Sequence, residues 1–156
     1  MDVFKPLRLY FSNDKEFILA IKNVFGFIPG NIFLYKQAFL HRSAAIEIKD
    51  GVKLSNERLE FLGDAILDAI VADFLFKKFP YRDEGFLTQI RSRIVSRETL
   101  SELGAKLNLD TFIQLSPDMK GFSPAILGNA LEAFIGAVYI DKGYLFCKNL
   151  IEQIIL

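Results

Sequence analysis

The chain has 156 residues, 51% hydrophobic with 16 Phe, enough to fill one core without disulfide or metal staples. Its 19 basic and 19 acidic residues cancel, which excludes bulk electrostatic attraction as the source of affinity for a polyanion. A lone Cys147 excludes an internal disulfide, and neither a signal-peptide core nor an apolar run near the ~18 residues of a membrane span is present, so a soluble cytoplasmic protein is expected.

The elements expected along the chain are almost all helical. Asn13 and Glu16 form a capping pair for a helix that carries Ile18, Ile21 and Val24 and stops near Gly26. After a Pro29-Gly30 turn, a second helix is expected from about Asn31 to His41, then a polar loop from Glu47 to Leu54. Ser55 is placed to cap a long helix that runs to Phe79, where Pro80 ends it. Asp83 and Ser96 look like caps of two further helices, the second closing near Asn108. Ser123 and Pro124 open another, which Gly143 closes, and a last helix begins near Tyr144. That helix ends the sequence on apolar residues with no stop signal, which favours an excised domain of a longer natural chain.

The most informative stretch is Asn56-Glu57-Arg58-Leu59-Glu60-Phe61-Leu62-Gly63-Asp64. On a helix, Glu60 lies about 60° from Glu57 and Asp64 about 40° from Glu60, so three carboxylates share one face. Like charges so placed repel, and a hard cation such as Mg²⁺ or Mn²⁺ would relieve the cost. Helix-dipole complementarity explains acids in a first turn, Glu57 and Glu60, but not Asp64 in a later one. From Pro124 through Ile140 the only charged residue is Glu132, and Asn129 shares nearly its face. Small residues in both helices (Gly63, Ala65 and Ala69 in one; Gly128, Ala130, Ala133, Gly136 and Ala137 in the other) allow close approach. Glu60, Asp64, Asn129 and Glu132 can then converge on one ion.

These residues carry a resemblance. NERLEFLGDAIL resembles the signature of the ribonuclease III endonuclease domain, and ALEAFIGAVYID resembles that family's second acidic block. His41-Arg42-Ser43, Phe79-Pro80, Asp83-Glu84-Gly85, the 90–95 segment and Glu98-Thr99-Leu100 fall in the same order as in the family, from about residue 13 to the C-terminus. The resemblance implies an all-α fold of about seven or more helices, spanning 1–156 as a single catalytic domain after an N-terminal extension of about 12 residues. No double-stranded-RNA-binding domain is expected within these 156 residues, and the signature resembles that of the longer bacterial class rather than that of the short Mini-III relatives.

The resemblance further implies a Mg²⁺-dependent endoribonuclease, with Mn²⁺ able to substitute, that hydrolyses double-stranded RNA to staggered 5′-phosphate and 3′-hydroxyl ends in RNA processing, ribosomal RNA included. Glu60, Asp64 and Glu132 take the catalytic and metal-holding positions. Asn129 stands where the family usually has Asp, and Glu57 and Glu84 match further acids of the cleft. By its sequence alone Phe61 reads as core; the resemblance instead implies that it enters a socket on a second subunit of a two-fold homodimer. No membrane and no small-molecule cofactor are expected. His41 reads as a structural hydrogen-bonding residue near a helix end and Cys147 as a buried thiol. Two alternatives remain open: a catalytically impaired RNA-binding or ribosome-associated scaffold of the same fold, for which Asn129 is the best support, and a helical metal-dependent hydrolase acting on nucleotides.

Overall fold

A computed structural model describes residues 14–156. The Asn13 cap and the N-terminal extension lie outside the described residues. Among the described residues seven α-helices run in the order α1 (Asp14–Phe25), α2 (Ile32–Ala38), α3 (Glu57–Lys78), α4 (Glu84–Ile94), α5 (Arg97–Lys106), α6 (Ala125–Lys142) and α7 (Tyr144–Ile154). Two 3-10 turns, Arg42–Ala44 and Leu109–Thr111, and a β-hairpin, β1 (Ile46–Lys49) with β2 (Val52–Leu54), complete it. Asp83 caps α4 by accepting from the Phe86 amide at 2.8 Å, and Ser96 caps α5 by accepting from the Thr99 amide at 3.1 Å, both as expected.

Four expectations differ in detail, the first being the cap of α3: Asn56 rather than Ser55 takes the cap position, and Ser55 Oγ accepts only from the Glu57 amide, at 3.4 Å. The 47–54 segment is not a loop: Asp50 and Gly51 take positive φ, 49° and 78°, and turn the chain into an antiparallel hairpin that pairs Ile46 with Leu54. The second helix stops at Ala38 rather than near His41, because the chain leaves it to pair with the segment at Gln114. The Gln114 amide donates to Phe39 O and the His41 amide to Gln114 O. At α6 the Ser123 carbonyl, not a side-chain cap, accepts from Ile126, with Pro124 in the cap position.

The core is organised around α6, which α3, α5, α2 and α7 all touch. On one side Phe134 stacks on Phe25 with ring centroids 4.0 Å apart and meets Tyr35, Phe39 and Phe27. Each such fully buried ring stabilises by about 1.5–3 kcal/mol through desolvation alone. Beyond it Asp141 fastens α6 to the start of α2, accepting from the Gly30 and Asn31 amides at 2.8 Å each and from the Tyr35 hydroxyl at 2.7 Å. On the other side α3 approaches α6 at glycine: a Cβ on Gly63 would stand 1.7 Å from Glu132 O, and one on Gly136 would stand 2.3 Å from Leu59 O. The two acid-bearing helices therefore touch backbone to backbone, the close approach that their small residues lead one to expect.

Candidate active site

The glycine contact fixes where the acids meet. With Gly63 against the Glu132 carbonyl, Glu60 and Asp64 flank the contact on α3, while Asn129 and Glu132 follow on α6. All four line one open cleft of about 800 Å³, together with Glu57 on α3. The donor set is hard oxygen, three carboxylates and one amide, and fits a divalent cation in kind. Among the described residues no three Asp, Glu, His or Cys side chains close around one point as a finished ligand set, so the acids form the walls of a site rather than a tight cage.

Electrostatics show how closely they crowd. Burial pushes the Glu132 carboxyl up to about 7, with Asp64 and Glu60 adding to the rise, Arg97 opposing it and Asp68 contributing further. Burial, then the Glu57 charge, also raises Glu60, against Arg97 and Arg42. Half-buried carboxylates that disfavour one another's ionisation are what a bound cation would reverse.

Of the other residues singled out from the sequence, Phe61 lies at the cleft and is 81% exposed, which removes it from the core. It also borders a second groove formed with Leu34, Leu59 and Ile140. Glu84 is not brought to the cleft. It opens α4 only after α3 has run its length, roughly 27 Å beyond Glu60 at 1.5 Å per residue, and there accepts from the Thr88 hydroxyl at 2.8 Å. Arg91 faces a different groove, beside Phe76 and Leu87, and does not line the cleft that holds Glu132. His41 caps the first 3-10 turn as its Nδ1 accepts from the Ser43 amide at 3.1 Å; burial and the adjacent Arg42 lower its proton affinity, so it is neutral at pH 7. Cys147 is buried, its thiol pushed up to about 12 by burial.

Three residues were given no part in the site by the sequence reading. Arg42 and Arg97 line the acidic cleft from separate elements. Asp68, one turn beyond Asp64, has a buried Oδ1 with no hydrogen-bond partner and continues the row 57, 60, 64, 68 along α3. Its spacing from Asp64 was the available signal. For the arginines helical spacing gave none, since Arg42 lies 15 positions before Glu57 and Arg97 lies 33 positions after Asp64, each on a separate element.

Known proteins place the fold and the site in context. A family model described as Ribonuclease-III-like matches residues 31–156. The Ribonuclease 3 of Bacteroides thetaiotaomicron is 50% identical over 96% of this chain and 48% of its own length, and that of Bacteroides fragilis is 49% identical over 96% and 52%. The chain thus spans about half the length of these curated relatives. Among solved structures, the nuclease domain of ribonuclease III from Campylobacter jejuni superposes with a TM-score of 0.79 at 34% identity, covering 88% of this chain and 95% of that one. With its signature acids gathered in one cleft on that fold, the chain belongs to the ribonuclease III-like family.

Proposed function

We propose that this chain is a divalent-metal-dependent endoribonuclease that hydrolyses double-stranded RNA to staggered ends bearing 5′-phosphate and 3′-hydroxyl groups. The observation that carries this reading is the meeting of Glu60, Asp64, Asn129 and Glu132 in one open cleft of a family member. Glu60, Asp64 and Glu132 would hold Mg²⁺ or Mn²⁺, with Asn129 offering one neutral oxygen or orienting a water. Bound there, the ion supplies a water of lowered pKa and neutralises charge on the phosphoryl oxygens. The chain's own part is to place that chemistry: the Gly63–Gly136 contact fixes the spacing of the acids, and Glu57 at the mouth positions substrate. We read residues 1–156 as one catalytic domain acting in the cytoplasm on cellular RNA precursors, ribosomal RNA among them.

Phe61 supports a two-fold dimer. An exposed aromatic ring beside an apolar groove favours burial against a second copy, and isologous contact repeats it twice. The Campylobacter jejuni nuclease domain is itself described as flexible in a region involved in dimer formation. Such a dimer is also the route by which Glu84 can join a cleft, that of the other copy. Phe61→Ala should run as a monomer on a sizing column without loss of helical content; an unchanged dimer would remove Phe61 from the interface.

The deciding experiment is cleavage of a long blunt RNA duplex by this protein and by Asn129→Asp, with Mg²⁺, with Mn²⁺ and with a chelator. Metal-dependent short products, formed faster by the Asp variant, support the nuclease and identify Asn129 as a handicap to ion binding. The scaffold reading has Asn129 as its best support and gains only if neither protein cuts while both bind the duplex. Activity on free nucleotides with none on duplex RNA would favour a nucleotide hydrolase instead.

A further inference from the structure

Among the described residues the acidic cleft has two cationic side chains in its lining, Arg42 and Arg97, against the four carboxylates of Glu57, Glu60, Asp64 and Glu132. Neither guanidinium forms an ion pair within 4 Å among the described residues, whereas Lys77 and Lys148 are both committed to Asp73. Both backbones are held in place. His41 caps the turn that carries Arg42, and Ser96 caps the helix that Arg97 opens, reinforced by the Thr99 hydroxyl donating to Arg93 O at 2.8 Å. A phosphate entering this cleft would meet a net negative wall everywhere except at these two forks. Planar guanidiniums match phosphate oxygens in bidentate geometry, so two of them, free and on fixed backbones, have the chemistry of a phosphate clamp.

We propose that Arg42 and Arg97 contact successive backbone phosphates of the RNA strand in the cleft, Arg97 at the phosphate nearest the acids and Arg42 at a neighbouring one. This rests on the endonuclease reading above. The order follows from placement: the Arg97 backbone lies against α6, where a Cβ on Gly128 would stand 3.6 Å from Arg97 O beside Asn129, whereas Arg42 lines the cleft from the first 3-10 turn. The two side chains supply part of the attraction that the chain's zero net charge withholds.

The test measures binding of a blunt RNA duplex across a salt series in chelator, so that the strand stays whole, and single-turnover cleavage at saturating RNA and Mg²⁺. Arg97→Ala should lower the slope of log affinity against log salt by about 1 and the cleavage rate by about 10- to 100-fold. Arg42→Ala should lower the slope by about the same amount and leave the saturated rate within about threefold of the parent. Arg97→Lys, which keeps the charge, should keep the slope. Parent-like slopes in both Ala variants would overturn the proposal. So would an Arg97→Ala protein with an unchanged slope whose lost rate returns at another pH or Mg²⁺ concentration, since Arg97 would then only balance the carboxylates. A parent protein that binds the duplex without cutting it would sink the nuclease reading, and the slopes would still judge the arginines.

Discussion

Glu132 and Phe134 stand two residues apart on α6 and meet opposite surroundings. Phe134 is fully buried and packs against four other aromatic rings. Glu132 is partly desolvated among acids that oppose its charge. One face of the helix gathers the stability that the other face spends in setting a site, and the glycine contact with α3 brings the costly face together without burying any side chain of its own. Stability and chemistry should therefore separate by mutation across a single turn.

The largest effect expected is on cleavage. Glu132→Ala should lower the rate by about a thousandfold or more while leaving the unfolding midpoint unchanged or raised, because it deletes a disfavoured charge. Phe134→Ala should do the reverse, costing about 3–5 kcal/mol by opening a cavity in the aromatic cluster. Urea unfolding beside a cleavage assay distinguishes them. A Glu132→Ala protein that unfolds early would make Glu132 a structural partner and dissolve the contrast.

Next in size is the contact itself. Gly63→Ala puts a methyl group 1.7 Å from the Glu132 carbonyl oxygen, so backbone has to move and α3 is displaced from α6. A loss of about 3 kcal/mol or more, with cleavage impaired as the acids separate, is the expected outcome. Gly85→Ala is the control. Its Cβ meets nothing nearer than Asp83 Oδ1 at 3.6 Å, and in α4 the change should be neutral or stabilise by about 0.5–1 kcal/mol. Equal behaviour of the two variants would mean that the close approach does not hold the site.

On the stabilising side, Asp141 is the polar counterpart of Phe134. Its removal in Asp141→Ala orphans two amides and the Tyr35 hydroxyl, a loss of about 2–3 kcal/mol. Burial raises this carboxyl, but the Tyr35 hydroxyl and the Gly30 and Asn31 amides outweigh it and hold the group below the usual carboxylate range. A depressed folded value contributes stability that is present above the unfolded pKa of ~3.9 and is lost as pH falls through the folded one. The gap between parent and variant should thus be widest near neutrality and narrow in acid. A gap that grows in acid would contradict the sign.

The two regions were not equally legible in the sequence. The acidic row declared itself, because helical spacing is a property of the chain alone and the signature is long; Gly63 and Gly136 likewise announced that two helices could touch. Caps at Asp83 and Ser96 were readable for the same local reason. The hairpin was overlooked although Asp50-Gly51 between Ile46, Ile48 and Val52, Leu54 is a strong short-range turn signal, here set among charged residues that read as a loop. The early end of α2 was not readable, since the pairing of Leu40 with Gln114 reaches across 74 positions and overrides local propensity. The same non-local assembly hid Arg42 and Arg97. Glu84 shows the converse, a residue grouped with the site by resemblance that its own chain holds at the far end of α3, away from its own cleft.

The smallest effect is the most direct reading of the acidic face, and it concerns the protein without metal. Glu132 titrates near 7 when folded and near ~4.3 when unfolded, so the folded state binds more protons between these values. Below ~4.3 the group is neutral in both states and carries no cost; as pH rises toward 7 and beyond, the cost of its charge develops fully. Glu132→Gln should therefore match the parent in acid and exceed it by about 1–2 kcal/mol at pH 8, a figure reduced from the full titration shift because solvent screens a half-exposed carboxylate. Added Mg²⁺ should stabilise the parent more than the Gln variant and close the gap, since a ligand that binds only the folded state raises its stability. Thermal melts at the two pH values, with chelator and then with Mg²⁺, measure all four corners. A gap that ignores pH would mean that Glu132 is freely solvated, and a gap that ignores Mg²⁺ would mean that the crowded carboxylates are not waiting for a cation at all.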